Sequence, residues 1–213
     1  MTEQVTLKGP EGTLAAVFDD AGSTTGSVIT HPHPLYGGNM ENNVVHCAAS
    51  ACCEAGLSVL RFNFRGVGQS SGTYDDGDGE QDDLAAAVTF LTGNGCRKVL
   101  VVGYSFGAWV AAMAADKGRI EADLVLIAPP VAFVSHESIS ALPGLRGVVT
   151  GELDRDIAPI SSIHTHLKRW HPGITADVLP GADHFFSGCE QALSEWLRPV
   201  VRDWNQVALS DPL

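Results

Sequence analysis

The sequence predicts an α/β protein built on a mainly parallel, twisted sheet with helices on both faces. Three observations predict it. Short apolar runs alternate with segments of helical periodicity from end to end. Two of the runs, KVLVVGY at 98–104 and LVLIA at 124–128, are continuously apolar, as strands covered on both faces must be. No internal repeat, low-complexity tract or Pro/Ser-rich linker interrupts the 213 residues, a length that suits one core, so a single domain over 1–213 is expected.

Taken in order, Val5–Leu7 and Thr13–Phe18 read as an opening antiparallel pair around a turn at Gly9–Gly12. Ser27–Thr30 is a short strand that ends at the proline-rich HPHP. Val44, Ala48, Ala51, Cys52 and Ala55 recur at helical spacing and predict a helix from about 42 to 55, stopped at Gly56. The β-branched and aromatic LSVLRFNF at 57–64 follows, then the loop RGVGQSSG. A helix is expected to begin at Asp82 and Asp83, where negative charge suits the helix dipole, with Leu84, Val88 and Leu91 inward. After the strand at 98–104 comes a short Ala-rich helix from about Phe106 to Ala115. GVVTG at 147–151 is a further strand. A helix with Ile160, Ile163, His164 and Leu167 inward leads to a strand around Ala176–Leu179. Leu193, Trp196, Leu197, Val200 and Trp204 line one face of a last helix. Repeated βα units of this kind imply parallel pairing.

Composition narrows the partners. A formal net charge of −12 opposes phosphate backbones and anionic lipid heads, so neither nucleic acid nor a membrane surface is an expected partner. No run approaches the ~20 apolar residues of a membrane helix, and the first residues lack the basic-then-apolar order of a signal peptide. The five cysteines are odd in number, two are adjacent, and none forms a CxxC pair. Reduced, mostly buried thiols and a cytoplasmic location are therefore expected.

The residues that carry chemistry begin with Gly103-Tyr104-Ser105-Phe106-Gly107, a G-x-S-x-G placed between a buried strand and a helix. A serine at so tight a turn is held in strained backbone with its hydroxyl clear of the sheet. Side chains at 103 and 107 would clash there, and Ala108 continues the need for small residues. A serine hydroxyl needs a base. His184, in PGADHFF just past the last strand, sits at the carboxyl edge where open α/β sheets place their sites. The acid that orients it is expected in the loop after GVVTG, as Asp154 with Asp156 the alternative, in the chain order serine, acid, histidine. An oxyanion hole would take one N–H from Phe106 and a second from the loop HPHPLYGG. Pro32 and Pro34 have no N–H, which leaves Leu35, or else Tyr36.

Together THPHPLYGGNMENNVV, RFNFRGVGQSSG, GYSFGA and GADHFF resemble the small, cap-less bacterial branch of the α/β-hydrolase superfamily related to dienelactone hydrolases, a resemblance that runs from about residue 5 to 200. The resemblance implies a single α/β-hydrolase domain without a cap, and hydrolysis of carboxylic esters by a Ser105, Asp154 and His184 triad without cofactor or metal. Dienelactone hydrolase proper carries cysteine where this chain has Ser105, and epoxide hydrolases and dehalogenases carry aspartate. The stretch APPVAFVSHESISALPGLRG is too short for a helical cap, so an open, shallow site for a small acyl substrate is expected. Its walls would be Tyr36, Val131, Phe133, Phe185 and Phe186, in a monomer or homodimer.

Other readings keep a place. A thioesterase, peptidase or lactonase would use the same triad. The H-x-H pairs His31/His33 and His164/His166 could suggest a metallohydrolase, but no carboxylate pair accompanies the first, and His164 is expected on an apolar face. An EF-hand register from Asp76 puts Gln81 and Ala87 where glycine and glutamate belong, so the acidic run 75–83 reads as a solvated helix-capping turn. GVGQSSG lacks the Gly-Lys ending of a phosphate loop. A silent fold member acting as a binding module would leave an intact triad unexplained.

Overall fold

In the computed structural model, which describes residues 2–210, the chain forms eight strands in one sheet of order β1-β2-β4-β3-β5-β6-β7-β8. β1 (Thr2–Gly9) and β2 (Gly12–Asp19) form the expected antiparallel pair, and β2 also runs antiparallel to β4 (Ser58–Phe62). β3 (Thr25–Thr30), β5 (Lys98–Tyr104), β6 (Asp123–Ile127), β7 (Leu145–Gly151) and β8 (Asp177–Leu179) continue the sheet in parallel from β4.

The unbroken apolar runs form β5 and β6, which are buried beyond their first residues because both faces of the sheet are covered. α1 (Asn43–Glu54) packs on α5 (Glu190–Ser210), and α2 (Asp78–Gly93) packs on α3 (Phe106–Asp116). Both pairs reach the central strands β3 and β5, so they form layers on opposite faces. The Asn42 side chain caps α1 by accepting the Val44 N–H at 2.9 Å. No helix occupies 128–144, so the site carries no cap.

Three sequence expectations are corrected. α2 begins at Asp78, four residues early, because Glu80 accepts the Asp75 and Gly77 N–H groups at 3.0 and 2.8 Å and closes the first turn. Asp83 is therefore one turn inside the helix and buried, where both its oxygens meet the equally buried Arg65 guanidinium (2.9 and 3.0 Å). The acidic run is thus a solvated turn only in part. In α4 (Ile160–Trp170), Ile163, Leu167 and Trp170 face inward, whereas His164 is exposed. The inward stripe runs through Ile163, Leu167 and Trp170 at i, i+4 and i+7, and His164 falls beside it. All five cysteines are free: Cys52 and Cys96 are buried, Cys47 and Cys189 half-buried and Cys53 exposed. Among the described residues no helix is long and apolar enough to cross a membrane.

Candidate active site

The loops that follow β3, β5, β7 and β8 all open at the carboxyl edge of the parallel strands, where the site forms. Ser105 follows β5 directly. Its backbone has φ 52 and ψ −118, a conformation L-residues rarely adopt, and it projects the hydroxyl away from the sheet. The turn closes only because its flanks lack side chains. A Cβ at Gly103 would lie 2.7 Å from Ala108 Cα, and one at Gly107 2.5 Å from Thr30 Oγ1 and 2.7 Å from the His31 carbonyl.

His184 meets this serine from the loop after β8. Ser105 Oγ donates to His184 Nε2 at 2.9 Å, and His184 Nδ1 donates to Asp154 Oδ2 at 2.5 Å. The other Asp154 oxygen accepts the Ile157 and Ala158 N–H groups at 3.2 and 2.9 Å. Burial pushes the Asp154 carboxyl up, but the His184 hydrogen bond and these amides outweigh it and hold it below its usual value. Asp156 is exposed and makes no part of this chain of contacts. The two loops are laced together: Leu153 N–H donates to the Ala182 carbonyl at 2.8 Å and Glu152 N–H to the Leu179 carbonyl at 3.0 Å. The Tyr104 hydroxyl donates to the His184 carbonyl at 3.0 Å, which ties the histidine loop to the residue before the serine.

The Phe106 N–H is the first of α3, and no acceptor meets it among the described residues. Across the cleft, the loop after β3 turns through a 3₁₀ segment at Pro34–Tyr36. Leu35, expected to offer its N–H to the site, instead donates it to His33 Nδ1 at 3.2 Å, and its side chain points to solvent. Tyr36 N–H donates to the His33 carbonyl at 3.1 Å, so neither expected donor is free. The reason is local: Pro34 starts the turn, and the residue before it caps the turn with its side chain. In this turn the His33 N–H has no acceptor among the described residues.

Since His33 Nδ1 accepts, the ring proton sits on Nε2 and reaches Tyr74 Oη at 3.2 Å. The ring also packs at 4.8 Å centroid distances on Phe106 and Tyr36. Burial lowers its basicity, only partly opposed by the Asp76 carboxylate. His31, by contrast, is buried behind the loop, with Nε2 accepting the Phe64 N–H at 3.1 Å and Nδ1 at the Pro32 carbonyl at 2.6 Å. It stiffens the loop.

A cavity of about 560 Å³ lies in front of Ser105. Tyr36, Phe133 and Phe185 line it as foreseen. Val131 does not; it turns back onto the core, and Pro130 and Val134 take its place on the wall. Phe186, also expected there, is fully buried against Tyr104. His33, Asn42 and Ile157 join the lining although the sequence singled out none of them as a wall residue. For His33 a signal existed: it is the only residue between two prolines that lack N–H groups.

The fold agrees with known proteins. A family model described as "Alpha/beta hydrolase family" matches residues 44–213. The chain belongs to that family. It is 36% identical over 199 residues, 86% of this chain and 82% of the other, to an uncharacterized protein of Rickettsia prowazekii. A crystal structure from Xanthomonas campestris, described as an α/β serine hydrolase without a lid, superimposes with a TM-score of 0.86 at 32% identity, covering 95% of this chain and 94% of that one. An α-β serine hydrolase homologue from Coxiella burnetii gives 0.84 at 33% identity, over 92% and 96%.

Proposed function

We propose that the protein is a serine hydrolase that cleaves carboxylic esters through an acyl-enzyme, with Ser105 as nucleophile, His184 as general base and acid, and Asp154 orienting His184. The observation that carries this reading is the continuous relay from Ser105 Oγ to Asp154 Oδ2, 2.9 Å and then 2.5 Å, opening into an apolar cavity. His184 takes the Ser105 proton as the hydroxyl oxygen attacks the acyl carbonyl. The resulting oxyanion falls between the Phe106 N–H and the N–H of the loop after β3, for which we put His33 in place of Leu35 because it is the free donor. His184 then protonates the departing alcohol. Water, deprotonated by the same imidazole, releases the acid. No residue of the relay distinguishes an oxygen ester from a thioester, an amide or a lactone, and matched substrates separate them.

The test is intact-mass labelling with a fluorophosphonate alongside p-nitrophenyl acetate turnover. Wild type should gain one adduct, Ser105→Ala none, with turnover falling by about 10³-fold or more. Wild-type turnover in the variant overturns the reading.

A further inference from the structure

Resting on that reading, we infer that the site selects an ester whose acyl group is uncharged, apolar and at least ring-sized, and rejects acyl groups that carry a carboxylate. The walls of the cavity favour the first half of this statement. His33, Tyr36, Phe106, Phe133 and Val134 line it beside the serine, and Tyr36 and Phe133 meet edge to face at 6.2 Å although each is more than half exposed. Two large aromatic side chains left in water at a cavity mouth gain from an apolar group inserted there. The volume of about 560 Å³ exceeds the need of an acetyl group, which would leave most of these walls wet.

The placement of His184 assigns this wall to the acyl side. His184 must hand its proton to the leaving oxygen, so the alcohol departs past His184 and its neighbour Phe185. The acyl group then points the other way, toward the loop after β3 and the 130–134 turn.

Charge gives the second half. Among the lining residues there is neither lysine nor arginine. The carboxylates whose fields reach the lining or its neighbours are Asp76, felt at His33 and Tyr74, Glu80, felt at Tyr74, and Asp154 and Asp183, felt at Tyr104. Arg65, which is not among the lining residues, is engaged by Asp83 and Glu11. A carboxylate entering this cavity would lose water, meet like charge and find no cation.

The experiment compares kcat/KM for p-nitrophenyl acetate, hexanoate, 3-phenylpropanoate and the glutarate monoester, with fluorophosphonate labelling of Ser105 as control. Phenylpropanoate should exceed acetate by about 10-fold or more, the gain from burying a ring. Glutarate should fall about 100-fold below the similarly sized hexanoate. Phe133→Ala should narrow the phenylpropanoate-to-acetate ratio, and Phe133→Arg should raise the glutarate-to-hexanoate ratio about 10-fold. Labelled, active enzyme with equal rates on all four esters, or with glutarate preferred, overturns this inference alone. Absence of both labelling and turnover overturns the serine-hydrolase reading with it.

Discussion

Asp154 holds His184 with one carboxylate oxygen at 2.5 Å and is itself held by the Ile157 and Ala158 amides through the other. The acid is thus locked before the imidazole meets it. Asp154→Asn keeps the shape but offers an amide that can donate, which favours the tautomer with Nδ1 bare. We expect kcat to fall about 10³–10⁴-fold, as it does when the triad acid is so changed in serine proteases. Asp156→Asn, on an exposed side chain, should change kcat less than about 2-fold. Steady-state kinetics of both variants check the assignment, and an inverted order would transfer the role to Asp156.

The strain at Ser105 predicts a trade between activity and stability. A non-glycine residue at φ 52, ψ −118 costs about 1–3 kcal/mol. Ser105→Gly removes that strain at the cost of a more flexible unfolded chain, about 0.4–1 kcal/mol. The variant should be inactive yet melt roughly 2–4 °C higher for a net gain of about 1 kcal/mol. A lower Tm, measured by calorimetry, would mean that the turn is not strained.

Arg65 and Asp83 form a buried, doubly hydrogen-bonded pair that ties the loop after β4 to α2. Removing Asp83 leaves the buried Arg65 charge only the Gly79 carbonyl at 2.6 Å and the exposed Glu11 and Asp75 carboxylates at 3.3 and 3.9 Å, none of which replaces the lost two-point pairing. Asp83→Asn should therefore cost about 3–5 kcal/mol. The double change Arg65→Met with Asp83→Leu should cost clearly less than the sum of the single ones. Urea unfolding of Arg65→Met, Asp83→Leu and the double variant measures this, and simple additivity would show that the pair is not coupled.

Two buried histidines make the fold sensitive to acid. Burial lowers both His31 and His136 from 6.5 to about 4. Above pH 6.5 they are neutral in both states and contribute no pH dependence. Between pH 6.5 and about 4 the unfolded chain takes up protons that the folded chain refuses, so stability falls as the pH drops. Fully expressed near pH 4, each amounts to about 3 kcal/mol. Denaturant unfolding at pH 7, 5.5 and 4.5 should show the decline, with a shallower one in His136→Gln. A stability that stays level over this range would contradict it.

Much of the protein was legible because its signals are local. Strands covered on both faces must be apolar throughout, and a strand that turns abruptly into a helix at a serine must have glycine on each side, so β5, α3 and Ser105 could be read from the residues alone. The order of serine, acid and histidine likewise followed from motifs that each sit at a strand end. Tertiary structure decided what depends on partners distant in sequence. Asp154 rather than Asp156 reaches His184 because the loops after β7 and β8 are laced side by side. Leu35 loses its N–H to a side chain two residues away, through a turn geometry that the letters HPHPLY do not reveal. Asp83 is buried because Arg65, 18 residues earlier, comes to meet it. Phe186 lies in the core and Val131 packs against it rather than on the wall, since an apolar loop residue satisfies the same composition in either place, and only packing chooses between them.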